Sequence, residues 1–285
     1  MTVNSDSVSK RRKLGPAHRE VAEMVDDSSA SGRSALVTGG GRGIGRAISL
    51  RLASQGAAVA VNWARDEAAA QATVAEIRAS GGTALAVQGR IDDLDCHQSM
   101  VDTVAAELGP IDILVHNGGI ASRGRTVADT ASEEVERLLR IQAIGPHHLT
   151  GRVLPAMRAQ PRGDIVMISS VAAHTLGAGG APYNMAKAAI EALAHTLAKE
   201  EVRHGIHVNI VAPGLVATDM GDRLTKAVTG GSSEKAADLD GSSPFGHVCR
   251  PEDIADVVAF LTSASASYLT GQRITVDGGA HAYRP

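Results

Sequence analysis

Seven short apolar runs recur along the chain from Arg33 onward, with longer Ala/Leu/Glu/Arg segments between them. The runs are Ala35-Leu36-Val37, Ala58 to Val61, Ala84 to Val87, Ile111 to Val115, Ile165 to Ile168, His207 to Val211 and Arg273 to Val276. The intervening segments, such as Asp66 to Ser80 and Lys187 to Arg203, have helical composition. Strands alternating with helices predict βαβ units, hence a parallel sheet. A strand covered on both faces must be apolar almost throughout, as these runs are. The expectation is an α/β fold, a single doubly wound domain with a seven-stranded parallel sheet flanked by helices.

Two stretches fall outside this rhythm. Residues 1–32 are rich in Ser, Asp, Lys and Arg without a sustained period, and read as a flexible N-terminal extension to a domain spanning 33–285. Thr229 to Ser243 holds Gly230, Gly231, Ser232, Ser233, Gly241, Ser242 and Ser243, a composition that predicts a mobile loop.

Composition narrows the function. Hydrophobic residues make up 44% and charged residues 21%, as in soluble globular chains. Aromatics are 2%, which gives no support to nucleic-acid recognition by base stacking. Net charge is −3, and the one basic run, Lys10 to Lys13, reads as part of a solvated tail. No apolar stretch is long enough to span a bilayer, and the N-terminus lacks the apolar segment of a secretory signal. Cys96 and Cys249 form no CxxC and the histidines no HExxH, so neither a disulfide framework nor a metal site is expected. A reducing cytoplasm fits, with no nucleic-acid or membrane partner.

The first run leads directly into Thr38-Gly39-Gly40-Gly41-Arg42-Gly43-Ile44-Gly45, which opens a helical segment. A tight exit from a strand, close backbone approach to a pyrophosphate and a helix N-terminus aimed at the anion all require glycines there. This strand–loop–helix context predicts a dinucleotide site in a Rossmann domain. An NAD site usually has Asp or Glu at the tip of the second strand, about 20 residues on, to bond the ribose 2′-hydroxyl. Here that stretch reads Val61-Asn62-Trp63-Ala64-Arg65, with no acid at the tip. Arg42 and Arg65 can instead hold a 2′-phosphate, so NADPH or NADP is expected ahead of NAD.

Tyr183 and Lys187 are spaced i and i+4 in a segment that reads as helix from Pro182, so they share a face. A free tyrosine has a pKa near 10, and a neighbouring ammonium favours the phenolate. Ser170 ends the fifth run, where open α/β sheets bind their ligands, and its hydroxyl can donate to a carbonyl oxygen.

Together these elements make the chain resemble the short-chain dehydrogenase/reductases from about Arg33 to Gly279. The matching motifs are TGGGRGIG (38–45), HNGG (116–119), Ile168-Ser169-Ser170, YNMAK (183–187), Ala212-Pro213-Gly214 and the tail from Leu269 to Gly279. The pattern is most similar to the 3-oxoacyl-(acyl-carrier-protein) reductase branch. The resemblance implies reduction of a ketone, a small molecule or an acyl thioester, to a secondary alcohol. Tyr183 would donate the proton, Lys187 would bond the nicotinamide ribose and lower the tyrosine pKa, and Ser170 would polarise the carbonyl. The cofactor would lie against Gly39, Gly41, Arg42, Gly43, Ile44, Gly45, Trp63, Ala64, Arg65, Arg90, Ile91, Asn117, Gly118, Gly119, Pro213, Gly214 and Thr218. A substrate lid over about 219–248 and a homotetramer are implied as well.

The chain departs from the family pattern in places. Gln142 stands where the fourth catalytic residue is usually Asn, one methylene shorter. Arg90 replaces an Asp that contacts adenine, and is expected to stack on adenine or reach the 2′-phosphate. These departures motivate one alternative, a non-catalytic NADP-binding regulator. A second alternative is an NAD-linked alcohol or sugar dehydrogenase.

Overall fold

The computed structural model of the protein describes residues 30–243 and 245–280. Seven strands form one sheet: β1 (Ser34–Val37), β2 (Ala58–Trp63), β3 (Ala84–Gln88), β4 (Ile111–His116), β5 (Gly163–Ile168), β6 (Ile206–Pro213) and β7 (Arg273–Val276). Their order is β3-β2-β1-β4-β5-β6-β7 and every pairing is parallel. The order reverses between β1 and β4, and such a switch point opens a crevice at the strands' C-terminal ends.

Helices cover both faces. Ile113, Val115, Val59 and Val61 point to one face, where they pack with α1 (Gly43–Ser54), α2 (Glu67–Ala79) and α9 (Pro251–Leu261). Leu114, Ile165, Met167 and Val208 point to the other, against α3 (Cys96–Leu108), α5 (Gly145–Met157) and α7 (Ala181–Glu201). On α7 the buried residues Ala186, Ile190, Ala194 and Leu197 recur every three or four positions, the spacing that lays one helix stripe on a sheet. The remaining helices are α4 (Ser132–Leu139), α6 (Ala172–Thr175) and α8 (Asp219–Val228). Arg140–Ile144 is a π-helical turn between α4 and α5.

Two details differ from the sequence reading. The extension expected over 1–32 lies outside the described residues except for its last three. Of these, Ala30 is buried and donates its N–H to Gln55 O, so ordered packing begins before Arg33. The loop expected to be mobile over 229–243 contains a 3₁₀ segment, Ala236–Ser242, and Ala236 is fully buried. Its backbone is held by carboxylates: Asp222 accepts from Ala236 N, Asp238 from Glu234 N and Lys235 N, and Asp240 from Val248 N. These bonds offset the entropy that Gly and Ser would otherwise favour.

Candidate active site

The glycine loop leaves β1 and enters α1 with Gly39 at φ +62° and Gly43 at φ +51°, conformations that side chains resist. A Cβ on Gly45 would lie 2.2 Å from Gly39 O, so the helix can approach the loop only because residue 45 is glycine. Arg42 caps α1 without a side-chain hydrogen bond, which leaves the first-turn N–H groups available to an anion. Across the crevice, the Thr218 methyl lies 3.4 Å from where a Cβ on Gly43 would stand. The glycines are required by backbone geometry at Gly39 and Gly43 and by close approach at Gly45, and Thr218 stands within van der Waals reach of the loop.

The floor joins expected residues, Asn117, Gly118, Ile91 and Gly214, to two that sequence reasoning did not name as site residues, Thr38 and Asn62. Thr38 Oγ1 accepts from the backbone N–H groups of Asn117 and Gly118, each at 2.9 Å. Asn117 Nδ2 returns a bond to Thr38 O at 2.9 Å. Asn62 is buried in β2, donating to Gly89 O and accepting weakly from Gly39 N at 3.3 Å. A polar residue breaking the apolar run at position 62 was the available signal. Ile91 is buried against the Gly118 turn, its Cγ1 3.7 Å from where a Cβ on residue 118 would stand. Gly214 follows β6 and donates to Val276 O, close against Asp277.

Trp63, Ala64 and Arg65 lie at the end of β2, with Arg65 exposed like Arg42. Neither arginine forms an ion pair with a described residue. Arg46, by contrast, is paired with Glu76, and Arg90 with Asp92 at 2.6 Å. The role expected of Arg90 toward adenine or phosphate is therefore in competition with a neighbouring carboxylate. The residues present fit a dinucleotide: an open glycine cradle at a helix N-terminus, with two unpaired guanidiniums beside it.

Ser170, Tyr183 and Lys187 come together at the C-terminal end of β5. The Lys187 ammonium is buried 5.6 Å from the Tyr183 ring centre and donates to Ile168 O at 2.8 Å. Ser170 Oγ accepts from Ala172 N at 3.2 Å, and its hydroxyl lies on the Tyr183 side of the β5 end, where it favours the phenolate. Burial raises the phenol pKa above its ordinary value, and the Ser170 hydroxyl opposes that. The sequence reading expected a phenol lowered by Lys187. Burial sets the direction in this arrangement, where the ammonium is turned to the Ile168 carbonyl. Burial also lowers the Lys187 ammonium to about 8, while nearby Glu191 acts the other way.

Gln142 sits in the π-helical turn, 1% exposed. Its Nε2 donates to Ile120 O at 3.0 Å, and its Oε1 is buried with no hydrogen-bond partner. The amide therefore braces the Gly119–Ile120 loop, and one acceptor is left toward the interior. Glu191 and Arg273 were also missed. Glu191 stands at i+4 from Lys187, which was a visible signal; Arg273 lies 82 residues further on, which was not.

This fold and site define a nicotinamide-dependent oxidoreductase, and the chain belongs to the short-chain dehydrogenase/reductase family. A family model described as enoyl-(acyl carrier protein) reductase matches residues 39–281. The chain is 37% identical over 249 residues to the 3-oxoacyl-[acyl-carrier-protein] reductase FabG of Staphylococcus aureus, covering 87% of this chain and 98% of that protein. It is 39% identical over 245 residues to the short-chain reductase protein NovJ of Streptomyces niveus, covering 86% and 92%. A crystal structure of a dehydrogenase/reductase from Sinorhizobium meliloti superposes with a TM-score of 0.81 at 32% identity, over 91% of this chain and 99% of that one. No helix among the described residues is long and apolar enough to cross a membrane.

Proposed function

We propose that the protein reduces a ketone to a secondary alcohol with NADPH. The observation that carries this reading is the meeting of Ser170, Tyr183 and Lys187 at the C-terminal end of β5, on the sheet edge from which the glycine loop leaves β1. The α1 N-terminus would hold the pyrophosphate, Arg42 and Arg65 the 2′-phosphate, and Asn117 to Gly119, Ile91, Pro213, Gly214 and Thr218 the remaining length. Bound there, the nicotinamide supplies the hydride for the carbonyl carbon. Ser170 Oγ donates to the carbonyl oxygen, and Tyr183 Oη gives that oxygen its proton. A phenol raised by burial stays protonated at rest, so the donor is loaded at neutral pH. The Lys187 ammonium stabilises the phenolate as it forms. With its pKa near 8, it loses that charge in alkali, so turnover falls as pH rises above about 8.

The lid helix α8 exposes Met220, Leu224 and Val228 at a spacing of four, an apolar stripe suited to an apolar part of the substrate. A 3-oxoacyl thioester fits that requirement, in keeping with the relatives' names. A cytoplasmic homotetramer belongs to the same proposal; it would cover exposed Phe260 and Tyr268, and sedimentation velocity reads its mass directly.

The test follows NADPH oxidation with 3-oxoacyl thioesters, simple ketones and enoyl thioesters. Turnover of a keto substrate is expected, and Tyr183→Phe should lose about a thousandfold in kcat. Arg42→Ala should raise the KM for NADPH roughly tenfold, with little change for NADH. Consumption of enoyl thioesters alone would overturn the ketone assignment. Preference for NADH would overturn the account of the two arginines.

A further inference from the structure

Glu191 is a carboxylate only 5% exposed, one helical turn beyond Lys187 on α7, and the mechanism above gives it nothing to do. Tyr183, Lys187 and Glu191 stand at i, i+4 and i+8, so they share one helix face. Three other elements donate to the Glu191 oxygens. Ser169 Oγ, at the end of β5, lies at 2.6 Å, Arg273 Nε from β7 at 3.0 Å, and His174 Nε2 from α6 at 2.9 Å. The same guanidinium donates from Nη2 to Ser170 O at 3.2 Å. One carboxylate thus connects the helix that carries Tyr183 and Lys187 to the strand end that carries Ser170.

Packing alone does not call for a carboxylate here. Its neighbours on α7 are Ile190 and Ala194, and an apolar residue of similar size at 191 would avoid the desolvation of a buried ion. A carboxylate there serves two cations that an apolar residue could not: Arg273, ion-paired with it at 3.0 Å, and Lys187 one turn back on the same helix face. Lys187 is buried and donates to a neutral carbonyl, and Glu191, one turn on along the same face of α7, is the acid that favours its charged form.

We propose that Glu191 is a positioning residue for the reduction: it is the counter-charge for the Lys187 ammonium, and with Arg273 it holds Ser170 against Tyr183. This rests on the ketone-reductase reading. The charged and titratable groups facing Glu191 are Lys187 on its own helix, Arg273 from β7 and His174 from α6.

The main variant is Glu191→Gln, which keeps shape and hydrogen bonding and removes the charge. Cofactor-free protein carrying ε-13C-lysine is titrated by NMR, with Lys187 assigned through Lys187→Arg. The Lys187 midpoint is expected to fall by about one pH unit in Glu191→Gln, because the acid favours the ammonium. Turnover is expected to follow: the alkaline limb of the kcat profile moves down by the same amount. At pH 7.5 kcat falls about tenfold while KM changes less than about threefold, the split expected of a group acting on the transition state. Glu191→Asp should recover part of both effects. An unmoved Lys187 midpoint, or an unshifted pH profile with only a lower melting temperature, overturns the proposal.

Should Glu191→Gln fail to fold, Glu191→Asp carries the same titration, with an intermediate shift expected and no shift contradicting it. Arg273→Lys keeps a cation beside Glu191 and drops the bond to Ser170 O. A loss of about threefold or more in kcat, with the Lys187 midpoint unmoved, supports the second half of the proposal; unchanged kcat overturns it. The titration needs no substrate. A parent protein that reduces no ketone but shows the Glu191 shift would overturn the reductase reading and leave the charge coupling intact.

Discussion

On the face of the sheet covered by α3, α5 and α7, two polar clusters are buried. Near the ends of β5 and β7, Glu191 accepts from Ser169, His174 and Arg273 beside the Lys187 ammonium. At the end of β4, His116 Nε2 is hydrogen-bonded with Thr150 Oγ1 at 2.9 Å. His97 Nδ1 meets His148 Nδ1 at 3.0 Å. No carboxylate bonds to His116 or His97, and His116 Nδ1 and His97 Nε2 have no hydrogen-bond partner. Burial therefore drives His116 down to about 3 and lowers His97, so both rings are neutral. Lys187, equally buried but with an acid nearby, is lowered only to about 8 and stays charged at neutral pH. Lysine starts from 10.5 and histidine from 6.5, so after comparable burial the lysine is still charged, and the nearby acid acts in the same direction. Buried charge elsewhere is also paired, Asp164 with Arg33 and Arg162 and Glu201 with Arg158.

The largest expected effect lies in the charged cluster. Lys187→Met should cost about a thousandfold in kcat, while urea unfolding shows no loss of stability, because Glu191 keeps Arg273. A parallel loss of stability would mean that the lysine is structural. Arg273→Met is expected to destabilise by about 3 kcal/mol in urea titrations, since it removes the cation directly bonded to a buried carboxylate and leaves only Lys187, one turn away, to offset its charge. A change near zero would show that Ser169 and His174 satisfy Glu191 alone.

The neutral cluster shows itself in acid. His116 is neutral when folded and takes up a proton on unfolding, so below pH 6.5 the unfolded chain binds more protons. Stability present above pH 6.5 is lost as pH falls toward about 3, by at most about 1.4 kcal/mol per pH unit from this one group. His97 adds a loss of the same sign. His116→Asn should flatten the acid limb of a stability–pH curve, and an unchanged slope would place proton uptake elsewhere. The smallest effect is that of Thr150→Val, about 1 kcal/mol by thermal unfolding with turnover unchanged, from leaving His116 without its one partner.

What could be read before folding was what is local. The glycine loop lies within one strand–loop–helix unit, and Tyr183 and Lys187 within one helical turn, so spacing alone implied their geometry. The apolar runs marked all seven strands; those in the middle of the sheet are buried almost throughout, while the edge strands β3 and β7 are only partly covered. Contacts set by packing between distant elements were not legible. Arg273 reaches Glu191 from 82 residues away, and His97 meets His148 only because α3 and α5 lie side by side. Gln142 looked like a lengthened asparagine; its aim at Ile120 O depends on a π-helical turn that no residue pattern announces. Arg90 read as a free guanidinium, although Asp92 stood two positions on. The 229–243 segment read as slack because its Gly and Ser outweighed three aspartates, of which Asp222 lies outside that window.

The central claim is that Tyr183 and Lys187 face a bound nicotinamide. A crystal structure with NADP at the glycine loop tests it most directly. The account predicts Lys187 Nζ turned from Ile168 O to the nicotinamide ribose, Tyr183 Oη beside the ring and next to Ser170 Oγ, and Arg42 or Arg65 on the 2′-phosphate. A nicotinamide bound elsewhere, with residues 183 and 187 directed away from it, would contradict the account.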